Sequence, residues 1–316
     1  MGKKHRWILP VLAILVVLTL IALDERLILR TYTVVSPKLT AEVRLAVVTD
    51  FHSSDNADDV VAMVTSCAPD AVLMVGDMFD DDIANRPTER TLSLMRQLSA
   101  QYPCYYVSGN HEAWTGEMDA LYQQTEEAGV TVLRMSSGVL TVRGQRIALC
   151  GVPDPYEMVL SGAPDTEEQL RQALEDVDSA DFTVLLAHRP ELLAKYAQFP
   201  LDLVVSGHAH GGQVRIPGVL NGLYAPNQGW FPKLAGGAYT QDGTTLIVSH
   251  DCRASSTAQR SCWCAAFRQS EQYRKKSSVF CKNVLRFFQF SGIMSAVESF
   301  GSVVASRCQS QAKRST

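Results

Sequence analysis

The stretch VVSGHAHGGQV, residues Val204 to Val214, places two histidines one residue apart at the end of an apolar run and follows them with two glycines. Short apolar runs that end in polar residues recur in VVTDFH, LMVGDMFD, YVSGNHE and VLLAH. Five of the seven histidines of the chain lie at such ends: His52, His111, His188, His208 and His210. The glycines lack side chains, so the backbone can turn sharply and leave room for a ligand.

These apolar runs alternate with helical stretches such as ADDVVAMVTSCA and DTEEQLRQALEDVD. Strands that are apolar almost throughout are buried on both faces, which indicates an α/β layered domain. In such a domain the ligand crevice lies outside the carboxyl ends of the strands. The polar residues that collect there are therefore candidates for one site.

The composition is that of a globular protein with a substantial core: 316 residues, 46% hydrophobic and 20% charged. This excludes disorder throughout the chain. The formal net charge is −4, whereas a nucleic-acid binder carries a strongly basic balance, so no nucleic-acid partner is expected.

Carboxylate, imidazole and amide oxygen are together the ligands of borderline divalent metals. The residues of these types at the strand ends are Asp50, His52, Asp77, Asp80, Asn110, His111, His188, His208 and His210. A single residue of this kind is more often a turn residue, but the conjunction favours a site. One bridging carboxylate with three further ligands per metal would use all except Asp80 and His111. That count predicts a dinuclear metal centre.

In chain order, the motifs D-x-H, G-D-x-x-D, G-N-H-E, a single His after an apolar strand and G-H-x-H resemble those of the calcineurin-like metallophosphoesterases. The resemblance covers residues 43–249 and is strongest to the membrane-associated bacterial branch, similar to phosphodiesterases and UDP-2,3-diacylglucosamine pyrophosphatases. It implies an α/β fold, a four-layer αββα metallophosphoesterase sandwich. It also implies two divalent metal ions, with manganese, iron and zinc as candidates.

The resemblance assigns one metal to Asp50, His52 and His210 and the other to Asn110, His188 and His208, with Asp77 bridging. Two imidazoles one residue apart can reach different ions of a pair that is about 3.5–4 Å apart.

The resemblance also makes His111 the catalytic side chain, which stabilises the phosphoryl charge or protonates the leaving oxygen. Asp80 and Glu112 would lie behind the ligands and orient them or their loops. Asp81 and Asp82 are interpreted as solvated loop charges.

The predicted activity is metal-dependent hydrolysis of a phosphoester or pyrophosphate bond by hydroxide that the two ions generate, of phosphodiesterase type. A phosphomonoesterase and a catalytically inactive, membrane-tethered binding module are the alternatives. An inactive module would lack a ligand or His111, and this chain has them all. The expected substrate is a phosphorylated small molecule or a lipid-linked one.

Residues 1–29 are predicted to be a membrane anchor. Lys3, Lys4 and Arg6 precede an uncharged apolar run from Trp7 to Leu23, which would span roughly 25 Å as a helix. The basic flank predicts a single-pass protein of the cell membrane with its N-terminus in the cytoplasm and its catalytic domain, residues 30–249, on the extracytoplasmic side.

After the last two ligands, the loop PGVLNGLYAPNQGWFPKLAGG carries Leu223, Tyr224, Trp230 and Phe231. These side chains either cover an apolar or lipid-bearing leaving group or pack the loop down.

Residues 250–316 depart from the family pattern and hold five of the eight cysteines, with 11 basic and 3 acidic residues. We interpret this segment as an atypical tail with no folded role, disorder included, since the fold should be complete with TTLIVS. A basic amphipathic helix at the membrane surface is the alternative interpretation.

Overall fold

The structure of the chain is a computed structural model that describes residues 9–13, 16, 27–215, 220–249 and 261–268. The strands of this part of the chain are β1 (Ile28–Val35), β2 (Val43–Val48), β3 (Ala71–Val75), β4 (Cys104–Val107), β5 (Thr131–Val132), β6 (Ser136–Val142), β7 (Gln145–Gly151), β8 (Phe182–Leu186), β9 (Leu203–Ser206), β10 (Tyr224–Ala225), β11 (Gly229–Trp230), β12 (Gly237–Gln241), β13 (Thr244–Val248) and β14 (Ser261–Arg268). The helices are α1 (Ala57–Ser66), α2 (Thr88–Ser99), α3 (Asn110–Thr115), α4 (Met118–Glu127), α5 (Pro155–Ser161), α6 (Thr166–Leu174) and α7 (Leu193–Tyr196).

Two six-stranded sheets form the centre of the domain. The first has the order β1-β14-β2-β3-β4-β5, and the second has the order β12-β13-β9-β8-β7-β6. Strands β2 to β5 are parallel, as are β7, β8, β9 and β13. Because the parallel strands of a sheet share a direction, their carboxyl ends gather the loops of each sheet at one edge.

Successive residues of a central strand point alternately into two different apolar clusters. In β2, Val43, Leu45 and Val47 belong to the cluster between the two sheets, whereas Ala46 and Val48 face the helices. The outer face of the second sheet is covered in the same way by α6 and α7. Both faces of each sheet are therefore buried, which explains why the strands are continuous apolar runs in the sequence. The predicted four-layer αββα sandwich is confirmed.

The helices bury one side each. In α2, Leu92, Met95 and Leu98 are buried at intervals of three residues, which matches the helical repeat. Helix α6 begins after Asp165, whose carboxylate accepts hydrogen bonds from two backbone N–H groups of the first turn.

The two ends of the chain differ in how far the structure describes them. Strand β14 pairs in parallel with β1 and antiparallel with β2. The expectation that the tail has no folded role is therefore wrong for residues 261–268, because β2 would otherwise present an unpaired edge and β1 would have no partner. The alternative, an amphipathic helix later in the tail, lies outside the described residues.

The predicted anchor, residues 1–29, also lies outside them, apart from residues 9–13 and 16, which are helical, and residues 27–29. Ile28 and Leu29 belong to β1, so the described strand begins within the range predicted for the anchor. Within the described part of the chain, no helix has the length and apolar character needed to cross a membrane.

Candidate metal centre

The loops after β2, β3, β8 and β9 bring the predicted ligands together in two groups. The first group is Asp50, His52, Asp77 and His210, and its possible ligand atoms all lie within 4.8 Å of one another. His210 Nε2 is 3.9 Å from Asp50 Oδ1, and His52 Nε2 is 3.9 Å from Asp77 Oδ2. This group contains the predicted ligands of the first metal together with the predicted bridge.

The second group is Asp77, His188 and His208, within the same 4.8 Å limit. Asp77 Oδ2 lies 3.1 Å from His188 Nε2, so the Asp77 carboxylate belongs to both groups. Asn110, the remaining predicted ligand, is the buried first residue of α3, and the next backbone N–H, that of His111, donates to Asp77 Oδ1.

Hydrogen bonds to the protein direct the ring nitrogens of the second group. His188 Nδ1 lies 2.8 Å from the carbonyl oxygen of Val75, to which it can only donate, and this leaves the Nε2 lone pair facing Asp77. His208 Nε2 lies 2.9 Å from Asn227 Oδ1 and 2.8 Å from Arg189 Nη1, so Nδ1 is the ring nitrogen of His208 without a hydrogen-bond partner among the described residues. Such partners fix the tautomer and ring orientation of metal-binding histidines.

Four buried atoms of the site have no hydrogen-bond partner among the described residues: Asp77 Oδ2, Asn110 Oδ1, His188 Nε2 and His208 Nδ1. Buried polar atoms are normally satisfied, and leaving one unsatisfied costs about 1–3 kcal/mol. All four are lone-pair donors of the types that divalent metals bind. The residues present therefore fit a metal centre.

The charges of the site also favour a bound metal ion. Although burial opposes a charged imidazolium, Asp77 and then Asp50 raise the pKa of His188 to about 10. Burial, together with the positive charges of His188 and Arg189, lowers the pKa of His208 well below its ordinary value. The carboxylates thus require positive charge close to His188, which a metal ion would supply in place of a proton.

Backbone strain is concentrated at the predicted ligands. Five of the seven have positive φ angles: Asp50 at 55°, His52 at 48°, Asp77 at 50°, His208 at 64° and His210 at 46°. Each such conformation costs about 1–3 kcal/mol and persists only where the surroundings enforce it, which is typical of functional sites. Here the two loops enforce each other, since the N–H groups of Asp50 and His52 donate to the carbonyl oxygens of Gly76 and Asp77.

Two glycines allow the loops to approach this closely. A Cβ at Gly109 would collide with the Asp77 carboxylate, and one at Gly207 would collide with Thr49 and Asp50. Glycine is therefore required at these positions by the lack of space for a side chain.

The sequence profile of the family described as calcineurin-like phosphoesterase matches residues 43–212. The chain belongs to this family. The candidate metal centre therefore lies in a calcineurin-like phosphoesterase domain. The matched residues run from the start of β2 to the turn after the last histidine pair, and they include every predicted ligand.

Among individual proteins, the chain is 28% identical to the uncharacterized metallophosphoesterase YkuE of Bacillus subtilis, over 53% of this chain and 56% of that protein. It is 26% identical to the transmembrane protein with metallophosphoesterase domain of Danio rerio, over 56% of this chain and 42% of that protein. The chain thus spans about half of the length of these relatives, 56% of the first and 42% of the second. The crystal structure of phosphopantetheinyl hydrolase PptH of Mycobacterium tuberculosis has a TM-score of 0.43 and 17% identity, over 67% of this chain and 91% of that one.

His111 lies at the mouth of the phosphoesterase site, partly exposed while the ligand histidines are largely buried. Its ring is edge-on to that of His52, with centroids 4.3 Å apart, and its Nδ1 lies 2.6 Å from Asp81 Oδ1. Asp81 is an exposed loop residue, as interpreted from the sequence, but its carboxylate also contacts the imidazole of His111. A carboxylate on Nδ1 orients the imidazole and leaves Nε2 available to a substrate.

Asp80 and Glu112 both lie behind the predicted ligands. Asp80 Oδ2 is 3.5 Å from His52 Nδ1. Partial burial opposes the ionised carboxylate, but hydrogen bonds from His52 and from the backbone of Asp82 lower the pKa of Asp80 to about 2.

Glu112 is fully buried and accepts hydrogen bonds from four backbone N–H groups, those of Asp77, Met78, Phe79 and Gly109. Burial and then the charge of Asp77 raise the pKa of Glu112 to about 7, whereas the four donors favour the carboxylate. Glu112 therefore orients the loop that carries Asp77.

Sequence reasoning missed a buried network behind His208. Arg189 donates from Nε and Nη2 to the two carboxylate oxygens of Asp154, at 2.5 and 3.0 Å, and from Nη1 to Asn227 Oδ1 at 2.5 Å. Asn227 in turn contacts His208. The one available signal was Arg189 directly after a predicted ligand, since an arginine at a strand end needs a buried partner.

Proposed function

We propose that this chain hydrolyses phosphodiester or pyrophosphate bonds with two divalent metal ions, manganese being the first candidate. One ion would be held by Asp50, His52, Asp77 and His210, and the other by Asp77, Asn110, His188 and His208. The observation that carries the proposal is the position of the Asp77 carboxylate in both groups of possible ligands, with its Oδ2 buried and without a hydrogen-bond partner among the described residues.

Two bound ions would lower the pKa of a shared water and withdraw electrons from the phosphoryl oxygens. The chain supplies the other parts of the reaction. Asp81 contacts His111 at Nδ1, so Nε2 is the nitrogen left for the substrate, and the imidazolium form of His111 would give its Nε2 proton to the departing oxygen. The backbone N–H of His111 meanwhile holds the Asp77 carboxylate in place through Oδ1.

Support for a diester or pyrophosphate, rather than a monoester, comes from the rim of the site. Exposed aromatic rings lie on two separate parts of the chain: Trp114, with its ring centroid 4.8 Å from that of His111, and the pair Tyr224 and Trp230 in the loop after His210. A diester has a substituent on each side of phosphorus, and each substituent could contact one of these surfaces.

The test is an assay of the purified full chain with manganese against a nitrophenyl monoester, a bis-nitrophenyl diester and a lipid pyrophosphate. We expect the diester or the pyrophosphate to be turned over faster than the monoester, and chelation to abolish the activity. The Lys195→Gln variant, altered at an exposed residue of α7, is the control. Faster turnover of the monoester would overturn the diesterase assignment, and activity that survives chelation would overturn the metal assignment.

We also propose that the chain is anchored in the cell membrane by its apolar N-terminal run, with the phosphoesterase domain on the extracytoplasmic side. Relatives named as transmembrane proteins with a metallophosphoesterase domain, in Danio rerio and Bos taurus, support membrane attachment. Protease added to intact spheroplasts should digest the domain and leave a small membrane-bound fragment. Digestion only after permeabilisation would reverse the orientation.

A further inference from the structure

The loop after the last two ligands forms a small hairpin with exposed aromatic side chains. Strands β10 and β11 pair Tyr224 with Trp230 and Ala225 with Gly229. Trp230 is 68% exposed and the adjacent Phe231 is 66% exposed, and Tyr224 is exposed as well. These three side chains are therefore not buried against the domain. We refer to residues 223–231 as the aromatic hairpin.

Backbone hydrogen bonds join the exposed side chains into one surface. The N–H of Phe231 donates to the carbonyl oxygen of Leu223, and the N–H of Leu223 donates to that of Val214, which is itself exposed. The rings of Tyr224 and Trp230 contact each other edge-on, with centroids 5.6 Å apart. A contiguous exposed apolar patch of this kind marks an interaction site more often than scattered exposed residues do.

The hairpin is held in this shape rather than free to fold its aromatics away. The side chain of Gln228 donates to the carbonyl oxygen of Leu234 and accepts from its N–H, both at 3.0 Å. Phe231 has a φ of 57°, a conformation that bulky residues rarely adopt. The surroundings therefore hold Phe231 in a strained backbone conformation in which its ring is exposed to water. Backbone strain of this kind is typical of functional sites.

The segment of chain that contains the hairpin has a net charge opposite to that of residues 1–249 as a whole. Between Asp202 and Asp242 the chain contains no acidic residue, but it contains Arg215 and Lys233, next to Val214 and close after Phe231. Tyr and Trp beside basic residues are typical of surfaces at the boundary between lipid and water. Anionic lipid headgroups attract such basic residues.

We propose that the aromatic hairpin binds the surface of an anionic lipid bilayer, inserting Trp230 and Phe231 between the headgroups while Lys233 contacts them. The turn of the hairpin carries Asn227, whose Oδ1 lies 2.9 Å from His208 Nε2. The turn of the hairpin therefore lies against the predicted metal centre, and docking would place this site close to the bilayer surface. Docking itself does not depend on the proposed activity, so the two can fail separately.

The test uses the full chain in vesicles of phosphatidylcholine, with or without 30% phosphatidylglycerol, whose acyl chains carry bromine as a quencher of tryptophan fluorescence. Because the chain has four tryptophans, the signal of Trp230 is the difference between the parent and Trp230→Phe. We expect this difference signal to be quenched in anionic vesicles and less so in vesicles of phosphatidylcholine alone.

Matched variants locate the contact. Phe231→Ser and Lys233→Glu should weaken the quenching of Trp230, the latter by at least about fivefold in the ratio of docked to undocked hairpin. Val139→Ser, at an exposed valine of β6, and Lys195→Glu, at an exposed lysine of α7, should leave it unchanged. Circular dichroism of each variant checks that it is folded.

Three results would overturn the proposal. Trp230 that is unquenched in both kinds of vesicle does not reach the lipid, and equal quenching in both shows that the surface is not selective for anionic lipid. If sedimentation in detergent instead shows a dimer that Trp230→Phe or Phe231→Ser dissociates, and Trp230 is not quenched, the hairpin is an interface between two copies of this chain.

Discussion

The substitution Glu112→Gln tests whether one buried carboxylate holds the loop that carries Asp77. Glu112 Oε1 accepts from the N–H groups of Met78 and Phe79, and Oε2 accepts from those of Asp77 and Gly109. The glutamine amide keeps one oxygen, so it can satisfy the donors on one side only, and its NH₂ group meets two N–H groups on the other.

Two buried N–H groups without acceptors cost about 1–3 kcal/mol each, or roughly 2–6 kcal/mol in total. At about 2–4 °C per kcal/mol for a domain of this size, the unfolding midpoint should fall by about 4–24 °C. The measurement belongs at pH 8, above the pKa of about 7 that burial and Asp77 give this carboxyl, because the parent is then mostly ionised.

Differential scanning calorimetry of the parent, Glu112→Gln and Glu126→Gln provides the comparison. Glu126 is an exposed residue of α4, and its replacement should change stability by no more than about 0.5 kcal/mol. Manganese titration should also show weaker binding by Glu112→Gln, since the Asp77 loop loses its support. A change in the unfolding midpoint of less than about 2 °C corresponds to at most about 1 kcal/mol. If both variants stay within that limit and bind manganese as the parent does, Glu112 does not position the loop.

Three further predictions concern the site and the boundary of the fold. Asp77→Asn should reduce both metal content and turnover more than any other ligand substitution, by more than about 100-fold in affinity, because both ions lose a ligand at once; unchanged metal content would contradict the shared carboxylate. His111→Gln should slow alkyl phosphoesters by about 100-fold or more and nitrophenyl esters much less, because a nitrophenolate leaves without a proton; an equal loss for both would assign His111 to charge stabilisation instead. A chain that ends at Arg260 lacks β14, so it should aggregate or unfold at a clearly lower temperature than the full chain, and an unchanged midpoint would place β14 outside the folded domain.

The sandwich and the chemistry of its site were predictable from the sequence because both depend on local patterns. Strands such as LVVS of β9 are apolar at every position only when both faces of a sheet are covered, so the layering could be inferred before any contact was known. The polar residues that follow each strand then share one edge, because parallel strands end together. Within the first sheet this places Asp50 beside Asp77, whereas His188, 138 positions after Asp50, reaches them from the second sheet.

The partners of these residues were decided by the tertiary structure alone. The sequence predicts only that Asp81 is a surface charge. The tertiary structure brings the loop after β3 to α3, where the Asp81 carboxylate contacts Nδ1 of His111, 30 residues away. Asn227 contacts Arg189 across 38 residues and His208 across 19, and no spacing rule connects a loop asparagine with a strand end.

The same holds for the hairpin and for β14. The composition of the loop after His210 left open whether Trp230 and Phe231 are buried, because an aromatic ring fits either a core or an exposed surface. Strand β14 departs from the family pattern in sequence, yet its backbone completes the first sheet between β1 and β2. Sheet pairing uses main-chain N–H and C=O groups, and every residue except proline carries both. The sequence of a strand therefore restricts its neighbours only weakly. Which strands pair depends on the edges that the rest of the fold leaves open.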